Sequence, residues 1–285
     1  MATIVDGHAI AQHIYRRLAH QVPFLKKRGY TPKLGVILVG RDQASHTYVR
    51  KKGEAARRSG LEFLLKTLPA SVSTKQLIIT IQQLQQPRYH LTGLIVQLPL
   101  PKQVNTGKVL EAIDPQLDVD CLTQTNLGKL ITGSYWIEPP TPGAILSILK
   151  AHHIRLVGQR IVLIGAGALV GRPLANMLFH EQATVTVLNR ATVSLARYTK
   201  TADIIITGVG QHNLLTGAML KPGVVVMDAG VSFVAGKMYG DINFASVVKK
   251  AKLVTPTPGG VGPLTVAKLI ENTVKCARKL SNSSI

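Results

Sequence analysis

Three side chains that could bind a polar ligand or handle protons are predicted to share one helix face. Ser45, Tyr48 and Lys52 follow a strand-like segment and a turn, and their spacing of three and four residues places them on neighbouring turns. A lysine buried among apolar groups beside other cations loses basicity and can relay protons near neutral pH. Lys52 is therefore a candidate proton relay, although a helix lysine is more often solvated, as expected of Lys51.

A second polar group is predicted at the end of a buried strand. Residues 94–97 form a strand-like run that ends in Gln97 before two prolines, which places one amide at the carboxyl edge of a sheet. The Asp118-Val-Asp120 triplet offers a carboxylate that could accept two hydrogen bonds from a planar amino-heterocycle. Each feature alone is also compatible with turn or capping chemistry, so the interpretation depends on their combination.

A glycine-rich turn predicts a nucleotide site. In residues 160–173 a strand leads into a turn and a helix start, where Gly165 permits a tight turn and Gly167 lets the backbone approach a pyrophosphate. Gly171 permits close packing of helix on strand, and the helix N-terminus favours phosphate. The spacing is one residue longer than the usual fingerprint, so an ordinary strand–helix connection remains an alternative.

The end of the following strand favours NADP over NAD. A free ribose hydroxyl usually meets a carboxylate at this position, whereas a phosphorylated ribose meets arginine. The strand-like run 184–188 ends in Asn189-Arg190 without Asp or Glu, and Arg172 is also available. Alternatively, Arg190 could only cap the end of the strand and contact no cofactor.

Strand and helix patterns alternate along the chain, which predicts an α/β fold with parallel sheets. The predicted strands are residues 34–39, 94–97, 161–164, 184–188, 203–207 and 224–228. The predicted helices are residues 10–28, 45–59, 77–84 and 264–280, the last with Pro263 in its first turn.

Proline-rich segments predict two domains. The three prolines of residues 139–142 cannot continue a helix or a central strand, so a second domain is expected to begin with the helix after Pro142. Residues 255–263 are expected to cross back. We predict one domain from residues 1–139 plus 264–285 and a Rossmann-like, dinucleotide-binding domain from residues 140–263, with the C-terminal helix packed on the first domain.

Composition predicts a soluble, cytoplasmic protein. Apolar residues make up 46% and charged residues 17%, and no apolar run approaches the roughly 18 residues of a membrane-spanning helix. The first 19 residues lack the apolar stretch of a secretory signal. Cys121 and Cys276 provide neither a disulfide framework nor the spacing of metal ligands, so no metal is expected.

The formal net charge of +20 raises the possibility of a polyanionic partner, with nucleic acid as the first candidate. The cations occur in pairs and triplets without a long basic block, and aromatic residues make up only 5%, which argues against a base-stacking surface. We therefore expect dispersed charge that attracts a charged substrate or cofactor and no nucleic-acid partner, with weak nonspecific binding left open.

Taken together, five motifs resemble the bifunctional methylenetetrahydrofolate dehydrogenase/methenyltetrahydrofolate cyclohydrolase family over nearly the whole chain. They are Ser45…Tyr48-Val-x-x-Lys52, Val96-Gln-Leu-Pro-Leu-Pro101, Asp118-Val-Asp120, Val170-Gly-Arg-Pro173 and Thr255-Pro-x-Pro-Gly-Gly-Val-Gly-Pro263-x-Thr265. The resemblance implies oxidation of 5,10-methylenetetrahydrofolate with NADP and hydrolysis of the product to 10-formyltetrahydrofolate, in one-carbon metabolism and purine biosynthesis. It also implies a homodimer, and a folate cleft between a catalytic, folate-binding first domain and the second domain.

The resemblance also implies roles for individual residues. Lys52 matches the cyclohydrolase proton relay, with Tyr48 and Gln97 in support, and Asp120 matches the pterin anchor. These four are the implied catalytic residues, and folate contacts are implied for them and for Ser45, Leu98, Pro99, Gly259, Gly260 and Pro263. Cofactor contacts are implied for Gly165, Ala166, Gly167, Gly171, Arg172, Arg190 and Val231.

Three positions depart from the commoner pattern of that family. Gly167 stands where a serine is usual, which removes a hydroxyl that could bond the cofactor phosphate. Cys121 replaces the glycine after the Asp-Val-Asp triplet and could reshape the pterin end of the site. Pro140 replaces a frequent cysteine in the interdomain proline segment.

Two other functions stay open on the sequence alone. A two-domain NADP dehydrogenase that reduces a carbocyclic keto acid also uses a lysine, but it would have no role for Gln97 or residues 258–263. A dinucleotide-binding protein that has turned to nucleic acid would bind DNA or RNA with a steep salt dependence.

Overall fold

Buried apolar strands pair in parallel to form two separate sheets in the computed structural model, which describes residues 2–282. Each sheet is the centre of one compact unit. The large-sheet unit comprises the residues up to Gln12, Leu130–Ser134 and Thr141–Thr265. The small-sheet unit comprises His13–Lys129, Tyr135–Pro140 and the residues from Val266 onward.

Strands and helices alternate, as predicted for an α/β fold. In chain order the strands are β1 Thr3–Ile4, β2 Lys33–Val39, β3 Glu62–Leu68, β4 Gly93–Val96, β5 Arg160–Ile164, β6 Thr184–Leu188, β7 Ile204–Thr207, β8 Val224–Asp228, β9 Ser232–Val234, β10 Lys237–Tyr239 and β11 Ala251–Val254. The helices are α1 Gly7–Lys27, α2 Gln43–Arg58, α3 Thr74–Leu84, α4 Thr106–Glu111, α5 Gln124–Thr132, α6 Pro140–Ala151, α7 Gly171–His180, α8 Leu195–Thr199, α9 Phe244–Val247 and α10 Val261–Asn282.

The large-sheet unit contains a six-stranded parallel sheet with the order β1-β11-β8-β7-β5-β6. From β5 the chain first adds β6 on one side and then returns to add β7 on the other, so a topological switch point lies between the carboxyl ends of β5 and β7. The buried faces of these strands form one core, which includes Val162, Ile164, Ile205, Val224, Val226 and Val254. Strands β9 and β10 form a separate antiparallel hairpin.

The small-sheet unit contains a three-stranded parallel sheet with the order β3-β2-β4. Its switch point lies between β2 and β4, because β3 pairs with the other edge of β2. The core beneath this sheet includes Ile37, Val39, Leu77, Ile81, Leu94, Val96 and Val109. Helix α10 joins the same unit through an ion pair between Glu271 and Arg17 of α1, so the prediction that the C-terminal helix returns to the first domain is confirmed.

Two details of the fold differ from the sequence-based expectations. The residues up to Gln12 cluster with the large-sheet unit, because β1 pairs with β11, whereas the predicted division grouped them with the other domain. Helix α6 begins at Pro140 and not after Pro142. Both prolines fit the first helical turn, whose N–H groups have no partner within the helix, so proline loses nothing there.

Within residues 2–282 there is no helix both long enough and apolar enough to cross a membrane.

Candidate active site

The switch point of the small sheet brings two of the predicted functional segments together. Helix α2 follows β2, and Gln97 follows β4, so both leave the sheet at adjacent carboxyl ends. The backbone N–H of Gln97 donates to the carbonyl of Ile37 at 2.9 Å, which continues the parallel pairing one residue beyond β4. In open α/β sheets this edge is where ligands bind.

Helix α2 is fixed at its start by Asp42, whose carboxylate accepts a hydrogen bond from the backbone N–H of Ser45 at 2.8 Å. This bond lowers the pKa of Asp42. Ser45 and Val49 are buried, while Tyr48 and Lys52 are half-buried on the same side, as their spacing predicts.

Lys52 and Gln97 form a direct hydrogen bond across the switch point. The Lys52 ammonium donates to Gln97 Oε1 at 3.0 Å. The Gln97 side-chain amide donates in turn to the carbonyl of Leu98 at 2.6 Å, which turns its oxygen toward the lysine. The amide therefore holds the amine of Lys52 in one position without placing a negative charge on it.

Burial and one carboxylate set the charge state of Lys52. Burial lowers the pKa of Lys52, and the nearby negative charge of Asp120 partly opposes this shift. Burial also raises the pKa of Asp120, with Lys52 lowering it and Asp118 raising it further. Burial raises the pKa of Tyr48, so its phenol keeps its proton at neutral pH. The neutral amine of Lys52 is therefore accessible at a lower pH than the neutral amine of a solvated lysine.

The loop that carries Asp120 is held by Asp118. Asp118 is buried, and its carboxylate accepts bonds from the backbone N–H groups of Leu122 and Thr123, the Thr123 hydroxyl and the Asn126 amide, at 2.8–3.1 Å. An isolated parallel bridge pairs Asp118 with Leu94 of β4. The loop is thus fixed beside β4, the strand that Gln97 follows.

Helix α10 provides a second support for this loop. The buried Asn272 amide donates to the carbonyl of Val119 at 2.9 Å and to that of Glu138 at 2.7 Å. The Glu138 carboxylate accepts a bond from the buried Lys268, also on α10. Nothing in the local sequence predicted this role, because Asn272 lies 153 residues from Val119.

We expect Asp118→Asn to destabilise the protein by about 3 kcal/mol. The asparagine amide nitrogen cannot accept the hydrogen bonds that the Asp118 carboxylate accepts, and it would place its own N–H groups against the buried N–H and O–H groups that donate those bonds. Urea unfolding of the variant measures this loss. Asp114→Asn is the matched control: the exposed Asp114 carboxylate accepts a hydrogen bond from the backbone N–H of Gln116 at 2.8 Å, and its loss should change the free energy of unfolding by about 0.5 kcal/mol or less. Equal effects of the two substitutions would contradict the role of Asp118.

Cys121 adopts a backbone conformation that explains why glycine is the commoner residue at this position. Its φ is +56°, in the left-handed region, and its side chain is fully buried. Burial raises the pKa of its thiol, and Asp118 and Asp120 raise it further, so the thiol stays protonated.

Replacing Cys121 with glycine or with alanine should therefore separate the effect of backbone strain from that of side-chain packing. Cys121→Gly is expected to be more stable than Cys121→Ala by about 1 kcal/mol, although glycine is smaller, because only glycine avoids the left-handed penalty. Denaturant midpoints of both variants test this order. A more stable alanine variant would show that buried side-chain contact outweighs backbone strain.

In the large-sheet unit the glycine-rich turn lies at the switch point between β5 and β7. Gly165 has φ +116° and its N–H donates to Leu188 at the end of β6. A Cβ at Gly171 would overlap the carbonyl oxygen of Gly165, so the first residue of α7 must be glycine. A Cβ at Gly167 would meet no atom within 4 Å, and Gly167 is exposed. The turn thus leaves an open approach to the N-terminus of α7, where a pyrophosphate fits.

Alanine at these two glycines should have opposite outcomes. Gly171→Ala is expected to lower the free energy of unfolding by about 1–3 kcal/mol and to weaken nucleotide binding, because the turn must move away from α7. Gly167→Ala should leave the free energy of unfolding unchanged to within about 0.5 kcal/mol. Thermal unfolding with and without NADP compares the two variants, and equal costs would show that the close contact of Gly171 with Gly165 is unimportant.

The remaining predicted cofactor residues lie in the same unit. Ala166 is half-buried, and its carbonyl accepts a bond from the guanidinium of the exposed Arg172 at 3.0 Å. Arg190 is exposed in the turn after β6, and Val231 is exposed after β8. The positions after β5, β6 and β8 are those that a bound dinucleotide contacts in this topology.

Two buried carboxylates hold the loops at this edge of the large sheet. Asp241 accepts bonds from the backbone N–H groups of Val209 and Gln211 at 2.8 and 2.7 Å. Asp228, at the end of β8, accepts a bond from the Thr207 hydroxyl at 3.0 Å. Burial raises the pKa of Asp228, and Asp241 adds to this shift, while the hydrogen bonds it accepts lower it.

The other predicted folate contacts are divided between the units. Leu98 is half-buried and Pro99 exposed, and they follow Gln97 in the small-sheet unit. Gly259, Gly260 and Pro263 belong to the large-sheet unit, where the Gly259 carbonyl accepts a bond from Gly7 at 2.9 Å. The structure therefore brings Lys52, Gln97 and Asp120 together, and the roles of all the predicted site residues stay predictions.

The described residues contain no cluster of three or more His, Cys, Asp or Glu side chains that could hold a metal ion. Both cysteines are buried and free.

A glycine-rich turn at one switch point and a half-buried lysine–amide pair at another define a two-unit, dinucleotide-binding α/β enzyme. Two family models match the chain: the tetrahydrofolate dehydrogenase/cyclohydrolase catalytic domain over residues 5–120 and the NAD(P)-binding domain of the same family over residues 139–281. The chain therefore belongs to the tetrahydrofolate dehydrogenase/cyclohydrolase family, which confirms the resemblance inferred from the motifs.

Individual relatives agree over the full length. The bifunctional protein FolD of Nautilia profundicola is 43% identical over 281 residues, with 98% of each chain covered. The crystal structure of the bifunctional FolD methylenetetrahydrofolate dehydrogenase/cyclohydrolase from Campylobacter jejuni has a TM-score of 0.95 and 40% identity, covering 98% of this chain and 100% of that one. The Trypanosoma brucei enzyme, solved with NADP and an inhibitor, has a TM-score of 0.93 and 34% identity, with 98% of each chain covered.

Proposed function

We propose that this protein oxidises 5,10-methylenetetrahydrofolate to 5,10-methenyltetrahydrofolate with NADP and then hydrolyses that product to 10-formyltetrahydrofolate. The observation that carries the proposal is the hydrogen bond between Lys52 and Gln97 at the switch point of the small sheet, in an environment that favours a neutral amine. Membership of the family supports the same two activities.

The oxidation step does not require the protein to supply an acid or a base. The reacting carbon lies between two nitrogens whose lone pairs stabilise the cation that forms, so orientation is the main requirement. NADP, when bound, supplies the acceptor for the hydride. The residues of the glycine-rich turn fit such a cofactor, because Gly165 and Gly171 let the turn pack closely against its neighbours and Gly167 leaves the approach to the turn open for a pyrophosphate. Arg190 and Arg172 are the residues that would favour a 2′-phosphate.

The hydrolysis step needs a group that moves protons. Water adds to the amidinium carbon and the ring then opens, which requires a proton to be removed from the water and one to be delivered to the departing nitrogen. The neutral amine of Lys52 can accept the first proton and return it in the second step. Gln97 keeps that amine in place, and the protonated phenol of Tyr48, one turn away on α2, can donate a hydrogen bond to the folate.

Asp120 is the proposed anchor for the substrate. A carboxylate can accept two hydrogen bonds from the amino-pyrimidine edge of a pterin, and Asp118 and Asn272 hold the Asp120 loop in place. Ser45, Leu98, Pro99, Gly259, Gly260 and Pro263 complete the proposed folate contacts.

We also propose that the protein acts as a cytoplasmic homodimer that supplies one-carbon units for purine biosynthesis. These statements follow from the family resemblance. Light scattering after size-exclusion chromatography tests the dimer, and a mass near 31 kDa instead of twice that value would contradict it.

Initial rates with purified protein test the two activities separately. We expect methylenetetrahydrofolate to reduce NADP faster than NAD, and added methenyltetrahydrofolate to be hydrolysed faster than its uncatalysed rate. Hydrolysis without oxidation would leave a cyclohydrolase only. Activity in neither assay, together with reduction of a carbocyclic keto acid by reduced NADP, would replace the folate function with that alternative.

A further inference from the structure

Six exposed cations meet at one end of the small-sheet unit, and the proposed folate chemistry uses none of them. We define this basic end as Lys26, Lys27, Arg28, Arg57, Arg58 and Arg278. They lie in the last turn of α1 or α2, directly after α1, or, in the case of Arg278, just before the last turn of α10.

Two contacts show that these helix ends converge. The Lys26 ammonium lies 3.9 Å from the position of a Cβ at Gly60, two residues after the end of α2. The Arg28 guanidinium donates to the carbonyl of Ser281, in the last turn of α10, at 3.4 Å. The ends of α1, α2 and α10 therefore lie close together, so the charges that they carry are concentrated at one end of the unit.

Acidic side chains on the same elements are already occupied by other cations. Helix α1 contains no Asp or Glu, and between Asp6 and Asp42 the chain has none. On the neighbouring elements Glu54 contacts Arg50, Glu62 contacts Lys33 at 3.1 Å, and Glu271 contacts Lys268 and Arg17. Helix dipoles favour a cation in each last turn, but they do not neutralise six of them in one place.

The basic end also carries aromatic rings beneath its arginines. The Arg28 guanidinium carbon lies 5.8 Å from the centre of the Phe24 ring, and that of Arg57 lies 5.3 Å from the centre of the Phe63 ring. Phe24 is 61% exposed, so much of its ring remains open to solvent beside Arg28. The planar guanidinium groups and the exposed Phe24 ring together provide surfaces on which unpaired bases can stack.

We propose that the basic end binds single-stranded nucleic acid, with phosphates held by the lysines and arginines and bases stacked on Phe24 and its arginine. A plain anion such as polyphosphate would need only the charges, and a membrane would need a larger apolar face than one ring. The dispersed charge expected from the sequence did not anticipate this surface, because the three helix ends are brought together only by the fold.

Fluorescence anisotropy with labelled 12-nucleotide oligouridylate and oligothymidylate, between 50 and 200 mM salt, tests the charges. The binding constant should fall with salt with a slope of about 0.7 per phosphate contacted. The triple variant Lys26→Gln, Arg57→Gln, Arg58→Gln should bind at least tenfold more weakly at 100 mM salt, with a slope smaller by about 2. The control triple Lys249→Gln, Lys250→Gln, Lys252→Gln removes the same charge from exposed positions of the large-sheet unit and should change binding less than about threefold.

A separate variant tests the stacking. Phe24→Ala should weaken oligonucleotide binding several-fold with an unchanged salt slope, and it should leave polyphosphate binding unaltered. Melting temperature and dehydrogenase rate show that each variant is folded. Binding to either oligonucleotide with this pattern supports the proposal, and the preferred one identifies RNA or DNA as the ligand. Any of four results would overturn the proposal: no oligonucleotide binding at 50 mM salt, equal losses of affinity in the two triple variants, an unchanged affinity in Phe24→Ala, or binding to anionic vesicles only.

Discussion

Replacing Lys52 with methionine is expected to reduce methenyltetrahydrofolate hydrolysis by about a thousandfold, within the usual range for loss of a general acid–base group. The NADP-dependent oxidation should stay within about threefold of the wild-type rate, because that step requires orientation and no proton carrier. Methionine has nearly the length of the lysine side chain and tolerates burial, so the fold should be retained. Stopped-flow absorbance of both steps provides the measurement.

Lys51→Met is the matched control for this experiment. Lys51 is the exposed neighbour of Lys52 on α2, and its replacement removes the same charge without touching Gln97. Both rates of the control should equal those of the wild type. If Lys52→Met hydrolysed methenyltetrahydrofolate within tenfold of the wild-type rate, the proton would have to be carried by another group.

Asp120→Asn should produce the second largest effect, a rise of about 10- to 100-fold in the KM for folate in both reactions. Loss of a charged hydrogen-bond acceptor costs about 1.5–3 kcal/mol, and tenfold corresponds to about 1.4 kcal/mol. Steady-state kinetics with each substrate provides the measurement. An unchanged KM would show that Asp120 does not anchor the substrate.

The pH dependence of hydrolysis in the same variant should shift in a defined direction. Asp120 raises the pKa of Lys52, against the larger lowering by burial, so removing its charge should lower that pKa further. Since the neutral amine is the form that accepts a proton, hydrolysis increases as pH rises through the pKa of Lys52. The rising limb of kcat against pH should therefore move to lower pH in Asp120→Asn. A limb that moves to higher pH would contradict the coupling between the two residues.

Helix spacing and the geometry of parallel sheets made much of the site predictable. The shared face of Tyr48 and Lys52 follows from helix spacing alone, and the position of Gln97 at the end of β4 follows from the buried apolar run that precedes it. The contact between Lys52 and Gln97 depends on the pairing of β2 with β4, which the pattern of strands suggested but could not specify.

Other features depend on long-range contacts that local patterns do not contain. Strand β3 is half-exposed and carries Glu62 and Lys66, so its composition gave no clear strand signal. The pairing of β1 with β11 joins residues about 250 positions apart. The support of the Asp120 loop by Asn272, and the left-handed φ of Cys121, became visible only in the folded chain.

A single progress curve shows whether the protein carries both activities and whether Lys52 is needed for the second. Wild-type protein is mixed with methylenetetrahydrofolate and NADP, and the absorbance of reduced cofactor and of methenyltetrahydrofolate is followed together. We predict that reduced cofactor accumulates while methenyltetrahydrofolate stays below the level reached by Lys52→Met under the same conditions. Failure to reduce the cofactor, or equal accumulation of methenyltetrahydrofolate in both proteins, would contradict a bifunctional enzyme in which Lys52 carries the hydrolysis.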